Sequence, residues 1–307
     1  MTQAHRSSPQ PSTLSIAPTG GAHPCSVRSY GLSHPGRVRG SNEDVFVVAE
    51  LVRTLVVNHT NIPQPDATLG SHRAQVFLVA DGVGGNRAGE VASRMGATSV
   101  QEFLLNTLKR FTNLTPGEEQ VAVRDLQAAL LQANDRLFDE AMRHPEWSGM
   151  ATTLTMAFAV DGRLFVAHAG DSRCYLDSAG TLRQLTQDHT IVAEMVRRGL
   201  LTPPEKEHHP WRHVVTNLLG GNEPGVKVEV HCLDLHPGDV LLICSDGLTE
   251  MLPDDAIATI LREESEPRAA CEKLVAEANR LGGRDNVTVI VARFDEAAVA
   301  SGPSQAP

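Results

Sequence analysis

The stretch Val76-Phe77-Leu78-Val79-Ala80-Asp81-Gly82-Val83-Gly84-Gly85 decides how the rest of the chain is read. A short apolar run ends abruptly in an aspartate, and a glycine-rich turn follows. A run bounded this way predicts a buried strand, with Asp81 at the point where that rigid platform stops. The pattern recurs. Leu164-Phe165-Val166-Ala167-His168 leads to Gly170-Asp171-Ser172-Arg173, and Val240-Leu241-Leu242-Ile243-Cys244 leads to Ser245-Asp246-Gly247-Leu248. Asp285, in Gly283-Arg284-Asp285-Asn286, stands just before Val287-Thr288-Val289-Ile290-Val291. Any one Asp-Gly by itself reads as a turn. Carboxylates beside several strand ends together are hard to explain by packing, whereas hard divalent cations take oxygen ligands of this kind.

Ser26 to Leu32 reads as an edge strand, and the polar Gly36 to Asp44 feeds a strand at Val45 to Val48. Residues 58–74 read as an exposed connection rich in turn formers. A helix is expected from Ala88 to about Arg110, with Glu90 at its positive end and Val91, Met95, Phe103, Leu104 and Leu108 on one apolar face. Thr115-Pro116-Gly117-Glu118 reads as the cap of a second helix reaching about Arg143, with Leu126, Leu130, Ala133 and Leu137 turned inward. Two hairpins follow. One spans Thr152–Val160 and Arg163–Ala169 around Asp161-Gly162; the other flanks Ser178-Ala179-Gly180. After a helix over about 189–199, residues about 200–225 read as an irregular flap. Strands at 226–233 and 239–244, helices at about 253–263 and 266–280, and a last strand ending near Phe294 complete the chain. Clustered strands joined by hairpins predict an α+β fold, an antiparallel sandwich flanked by helices.

Composition narrows the class. The 307 residues are 41% hydrophobic and 21% charged, as in an ordinary globular protein. A net charge of -10 argues against nucleic acid and anionic membranes as partners. No apolar run is long enough to span a bilayer, and the N-terminus has no signal-peptide core. The cysteines Cys25, Cys174, Cys232, Cys244 and Cys271 are odd in number and scattered, which fits reduced thiols in the cytoplasm. Residues 1–24 and 297–307 read as disordered tails around one domain at 25–296. The helix after Asp81 is not preceded by a nucleotide loop: no G-K-[ST] follows, and Gly82-Val83-Gly84-Gly85-Asn86-Arg87 breaks G-x-G-x-x-G at its last position. His208, His209 and His213 match no zinc-binding helix and sit in a proline-rich segment, so a solvated flap is the better reading.

Seven stretches in order carry a resemblance: Arg39-Gly40-Ser41-Asn42-Glu43-Asp44, Val79 to Gly85, Gly149-Met150-Ala151-Thr152-Thr153, Ala169 to Arg173, Leu185-Thr186-Gln187-Asp188-His189-Thr190, Cys244 to Leu248, and Arg284 to Thr288. The chain resembles the metal-dependent protein phosphatases, the type 2C serine/threonine phosphatases, in their bacterial form. The resemblance implies an αββα sandwich of two mainly antiparallel sheets between helix pairs. It implies that Asp81 bridges two Mn²⁺ or Mg²⁺ ions, that the Gly82 carbonyl binds the first, and that Asp246 and Asp285 complete the second. It also implies that Asp171 helps to hold a third, weaker ion, that Glu43 and Asp44 hold water beside the ions, and that Arg39 grips the substrate phosphate. Arg39 precedes Asp44 by five residues, as in the motif, and a planar guanidinium suits phosphate oxygens.

Two positions depart from the family pattern. Some relatives carry a histidine, proposed as general acid, where this chain has Val83, and relatives often carry an arginine where it has Asn217. His189 lies in one of the motifs and reads as structural. The expected activity is hydrolysis of phosphoserine and phosphothreonine in protein substrates, opposing a cognate serine/threonine kinase, by a monomer. A binding module that has lost turnover, and a hydrolase of small phosphate esters, remain as alternatives.

Overall fold

The residues of β3 (His72–Val83) alternate between two cores. Val76, Leu78 and Ala80 pack toward helices, whereas Phe77 and Val79 face a second sheet, and all of them are buried. Only a strand covered on both faces can be apolar at every position. The computed structural model describes residues 25–53, 72–84, 87–107, 116–222 and 225–296. The expected tails, the connection as far as residue 71, the Thr115 cap, Leu108 and Gly85 lie outside the described residues.

The elements run β1 (Cys25–His34), β2 (Asp44–Arg53), β3 (His72–Val83), α1 (Arg87–Thr107), α2 (Pro116–Arg143), β4 (Ala151–Thr152), β5 (Leu154–Val160), β6 (Arg163–Ala169), β7 (Arg173–Ser178), β8 (Thr181–Gln184), α3 (Ile191–Arg197), α4 (Pro203–His208), β9 (Leu219–Gly220), β10 (Glu229–Asp234), β11 (Val240–Cys244), α5 (Asp246–Thr249), α6 (Asp254–Glu263), α7 (Pro267–Arg280) and β12 (Val287–Glu296). One sheet has the order β1-β12-β11-β7-β8; the other has β10-β6-β5-β3-β4-β9, with β2 paired to β3. All the pairings are antiparallel.

Three apolar layers hold the sandwich. Leu104, Leu126, Leu130 and Leu137 of α1 and α2 pack on Leu78, Met156 and Phe165. Phe77, Leu164, Ile243, Ile290 and Phe294 fill the space between the sheets. Ile257, Leu261, Leu274 and Val275 of α6 and α7 cover Leu242, Val289 and Val291. Burying each such side chain contributes about 1.5–3 kcal/mol. The αββα expectation holds.

Local details differ from the expectation. The strand drawn from Thr152 is interrupted at Thr153, whose N–H still bonds the Asp81 carbonyl while its hydroxyl accepts the Asp81 N–H. His72 to Ala74 belong to β3 and are not part of a connection. The flap is only partly irregular. Thr202 donates its N–H and hydroxyl to Glu205 Oε2 at 2.8 and 2.7 Å, which starts α4. Lys206 Nζ then ties α4 to Asp188 Oδ2 at 2.8 Å. Among the described residues, no helix is long and apolar enough to cross a membrane. Cys174, Cys232, Cys244 and Cys271 are free and buried.

Candidate active site

Asp44, the first residue of β2, stands directly opposite Asp81; contrary to expectation, β3 does not stop at this aspartate but runs on through Gly82 and Val83 against β4. Like charges on facing positions destabilise a sheet, so this register needs another cause. The backbone of Asp81 is fixed from the far side: its N–H donates to Thr153 Oγ1 (3.0 Å), and its carbonyl accepts from Thr153 N–H and from Thr152 Oγ1 (2.9 Å each). Gly82 donates its N–H to the Glu43 carbonyl at 3.3 Å.

The other sheet supplies two more carboxylates. Asp246 opens α5 directly after β11, and Asp285 precedes β12. The pairing of β11 with β12 brings these two segments together. Gly247 permits the contact, since a Cβ there would lie 1.9 Å from the Asn286 carbonyl oxygen. Asn286 binds both sides of the cleft. Its Oδ1 accepts the Glu43 N–H at 2.8 Å, and its Nδ2 donates to the carbonyls of Ser41 (2.8 Å) and Pro35 (3.1 Å). Its own N–H donates to Asp285 Oδ1 at 2.8 Å. Ser245 accepts the Thr288 N–H at 3.0 Å and donates its hydroxyl to Asp44 Oδ2 at 2.7 Å. Asp171 lies in the turn where the chain crosses from β6 in one sheet to β7 in the other. Arg39, exposed at the rim, donates from Nη2 to Asp285 Oδ2 at 2.6 Å.

The carboxylates lie close enough to perturb one another. Burial, and then the charges of Asp44, Asp246, Asp171 and Asp285, hold Asp81 well above the usual carboxylate range. Burial, and then Asp171, Glu250, Asp285 and Asp44, do the same to Asp246. Burial raises Asp44 to about 6, with the hydrogen bonds from Thr288 and Ser245 opposing it. Burial and the charge of Asp188 raise Asp171 to about 7. Asp44 Oδ1 and Asp246 Oδ1 are buried with no hydrogen-bond partner among the described residues. Buried acceptors without partners are costly. Divalent cations bound by oxygen would satisfy both atoms and turn the mutual repulsion into attraction. The donor set therefore fits Mn²⁺ or Mg²⁺.

The structure brings together Arg39, Glu43, Asp44, Asp81, Gly82, Asp171, Asp246 and Asp285. The flap histidines have separate surroundings: His213 pairs with Glu250, His209 lies edge-on to Trp211, and His208 is exposed. Val83, 39% exposed, offers no proton at the rim.

A model of protein phosphatase 2C matches residues 57–277. The chain belongs to the protein phosphatase 2C family. This type 2C phosphatase is 34% identical over 256 residues to the serine/threonine phosphatase stp of Listeria welshimeri, across 83% of the chain and 91% of that relative. Among solved structures it resembles the serine/threonine phosphatase PstP/Ppp of Mycobacterium tuberculosis, with a TM-score of 0.70 and 32% identity, over 88% of this chain and 99% of that one. A structure of the PstP catalytic domain in complex with two manganese ions aligns at a TM-score of 0.68 and 30% identity, over 88% and 98% of the two chains. The chain is thus a metal-dependent protein phosphatase.

Ser245, Asn286 and Thr153 fall inside the quoted motifs, where nothing in their local pattern assigns them a task. Their signal was a small polar residue next to, or opposite, a strand-end aspartate. Which aspartate each one serves is visible only once the strands are paired.

Proposed function

We propose that this type 2C phosphatase hydrolyses phosphoserine and phosphothreonine in proteins, with Asp81, the Gly82 carbonyl, Asp246 and Asp285 holding two Mn²⁺ or Mg²⁺ ions and Asp171 helping to hold a weaker third. The observation that carries this reading is the carboxylate cluster, in which Asp44 Oδ1 and Asp246 Oδ1 are buried without partners. When bound, such a pair of ions lowers the pKa of water and neutralises charge in an in-line displacement at phosphorus.

The remaining roles belong to the chain's own side chains. Arg39, 58% exposed, is free to turn from Asp285 to the phosphoryl oxygens and bind them with its planar fork. Ser245 aims Asp44, and Asn286 holds the backbone of Glu43, so that these two carboxylates orient water at the site. Val83 donates no proton, so the departing serine or threonine oxygen takes its proton from water held there.

The partners in this reading are phosphoproteins and the serine/threonine kinase that forms them, met by a monomer in the cytoplasm. The names of the bacterial relatives support the substrate class. The test is hydrolysis of a phosphothreonine peptide with Mn²⁺, with EDTA, and by Asp246→Ala. Turnover that needs the metal and is abolished by the substitution supports the proposal. A folded, Mn²⁺-binding protein without turnover would make it a binding module.

A further inference from the structure

Outside the carboxylate cluster, His168 of β6, His189 before α3, and Glu229 of β10 place ligand atoms within 4.8 Å of one another. Two histidines and a carboxylate have the composition of a zinc site, but their hydrogen bonds give the group another task. His189 Nδ1 accepts from the Gly170 N–H at 3.1 Å and from Asn217 Nδ2 at 2.9 Å. The orientation of the Asn217 amide is fixed, because its Oδ1 accepts the Lys227 N–H (2.8 Å) while its Nδ2 donates to the Lys227 carbonyl (2.9 Å). With two donors on Nδ1, the single proton of the neutral ring lies on Nε2, which faces Glu229 Oε2 at 3.6 Å. No lone pair is left on this ring for a metal ion. His168 is engaged at both nitrogens as well, by Thr155 Oγ1 (2.8 Å) and the Gln187 carbonyl (3.1 Å).

His189 instead stands at a junction. Its N–H donates to the Gly170 carbonyl at 2.8 Å, so backbone and ring both bind Gly170. Its carbonyl accepts from Thr216 N–H (2.8 Å) and Thr216 Oγ1 (3.0 Å). Thr216 and Asn217 form the end of the flap that returns to β9, and Gly170 precedes Asp171. Gly170 in turn lies against Thr153, where an added Cβ would come within 2.5 Å of the Thr153 Cβ. Thr153 Oγ1 accepts the Asp81 N–H. A continuous set of contacts therefore runs from Asn217 through His189, Gly170 and Thr153 to Asp81.

We infer that His189 is a positioning residue: its unprotonated Nδ1, shared between the Asn217 amide and the Gly170 N–H, couples the returning end of the flap to the loop that carries Asp171. Displacing the flap end removes one donor from Nδ1 and leaves the ring free to turn, which loosens its hold on Gly170. Asn217 acts only through the ring. The short Asn217 amide reaches His189 and Lys227 at once. The functional meaning of the coupling rests on the phosphatase reading, because it acts on Asp171. The coupling itself does not.

The test is amide hydrogen exchange at Gly170, read by NMR on the intact chain, so no turnover is required. Asn217→Leu touches the flap side only, yet Gly170 exchange should rise about five- to tenfold, as loss of one neutral hydrogen bond allows. His189→Asn puts Oδ1 near the place of Nδ1 and should stay within about twofold of the parent at Gly170. His189→Gln, nearer in size but without an acceptor close to the backbone, should match Asn217→Leu. Val291, in the far sheet, should exchange at the parent rate throughout and so report an intact fold. If the His189 variants fail to fold, Thr216→Val, which removes one flap donor to His189, should raise Gly170 exchange in the same direction. Gly170 exchange unchanged in Asn217→Leu and Thr216→Val, or equal in His189→Asn and His189→Gln, overturns the inference. Activity lost in Asp246→Ala while the Gly170 pattern holds would separate this coupling from the catalytic reading.

Discussion

Arg39 and Asp285 are hydrogen-bonded at 2.6 Å, so the side chain proposed to grip phosphate and one proposed to hold a cation neutralise each other. The pair is solvent-exposed on the arginine side, and such pairs contribute no more than about 1 kcal/mol. A phosphoryl group and a cation can therefore separate it. Arg39→Ala should lower kcat/KM for a phosphothreonine peptide about 10- to 100-fold, the worth of hydrogen bonds to a charged group. Arg39→Lys should recover only part, because an ammonium lacks the planar fork. Steady-state kinetics on both variants check this, and an alanine variant with parental kcat/KM would remove Arg39 from the phosphate site.

Asp246 presents the opposite case, a charge that burial and four neighbouring carboxylates disfavour. Asp246→Asn should raise the Tm of the metal-free protein. Mn²⁺ at about 100 times Kd should stabilise the parent by about 2.7 kcal/mol, and the variant by much less. Thermal unfolding with and without Mn²⁺ decides the matter. Equal stabilisation of the two proteins would exclude Asp246 from the ligand set.

The same crowding sets a pH dependence. Asp44 is raised to about 6 and Asp171 to about 7, chiefly by burial, against an unfolded value of about 4. A carboxyl whose folded pKa is raised adds stability that is fully present below the unfolded value and is lost as pH rises through the folded one. Without metal, these two groups should therefore cost stability from about pH 4 to about pH 7. Mn²⁺ affinity should climb through the same window, because the ion takes the ionised forms. His168 acts with the opposite sign: burial and His189 lower it to about 4, so its share is lost as pH falls from about 6.5 toward 4. Denaturation of the parent and of Asp171→Asn in EDTA across this range separates the terms. The parent-minus-variant stability difference should fall as pH rises, and a flat difference would contradict the raised Asp171.

Two glycines should respond differently to alanine. At Gly247 the new Cβ would meet the Asn286 carbonyl at 1.9 Å, and Asn286 is held by Pro35, Ser41 and Glu43. The backbone has nowhere to go, so Gly247→Ala should cost about 1–3 kcal/mol as overpacking and weaken Mn²⁺ binding by parting Asp246 from Asp285. At Gly89 in α1 the closest atom, at 2.0 Å, is Glu43 Oε2, the end of a flexible side chain. Gly89→Ala should stay within about 1 kcal/mol of the parent, since alanine favours the helix by a similar amount. Chemical denaturation of both variants tests the ranking.

Local pattern made much of this protein legible from its sequence. The apolar run before Asp81, the turn Asp161-Gly162, the segment Ser178-Ala179-Gly180 and the helices now seen as α6 and α7 announce themselves within windows of a few residues. Side-chain period and turn chemistry are properties of neighbours along the chain. The strand-end aspartates were legible for the same reason, and the ordered motifs added the family. The register that sets Asp44 against Asp81, and the pairing of Cys25 with Glu296 across the whole chain, were not. Neither were the break at Thr153, the Lys206–Asp188 tie that orders the flap, the hold of Asn286 on Glu43, or the place of His189 between Asn217 and Gly170. Each depends on which distant surfaces cover one another, and that is settled by burial summed over the fold. The sequence alone thus determined which carboxylates end strands and what chemistry they suit. Tertiary structure decided which of them meet, what holds them there, and which uncharged residues keep them together.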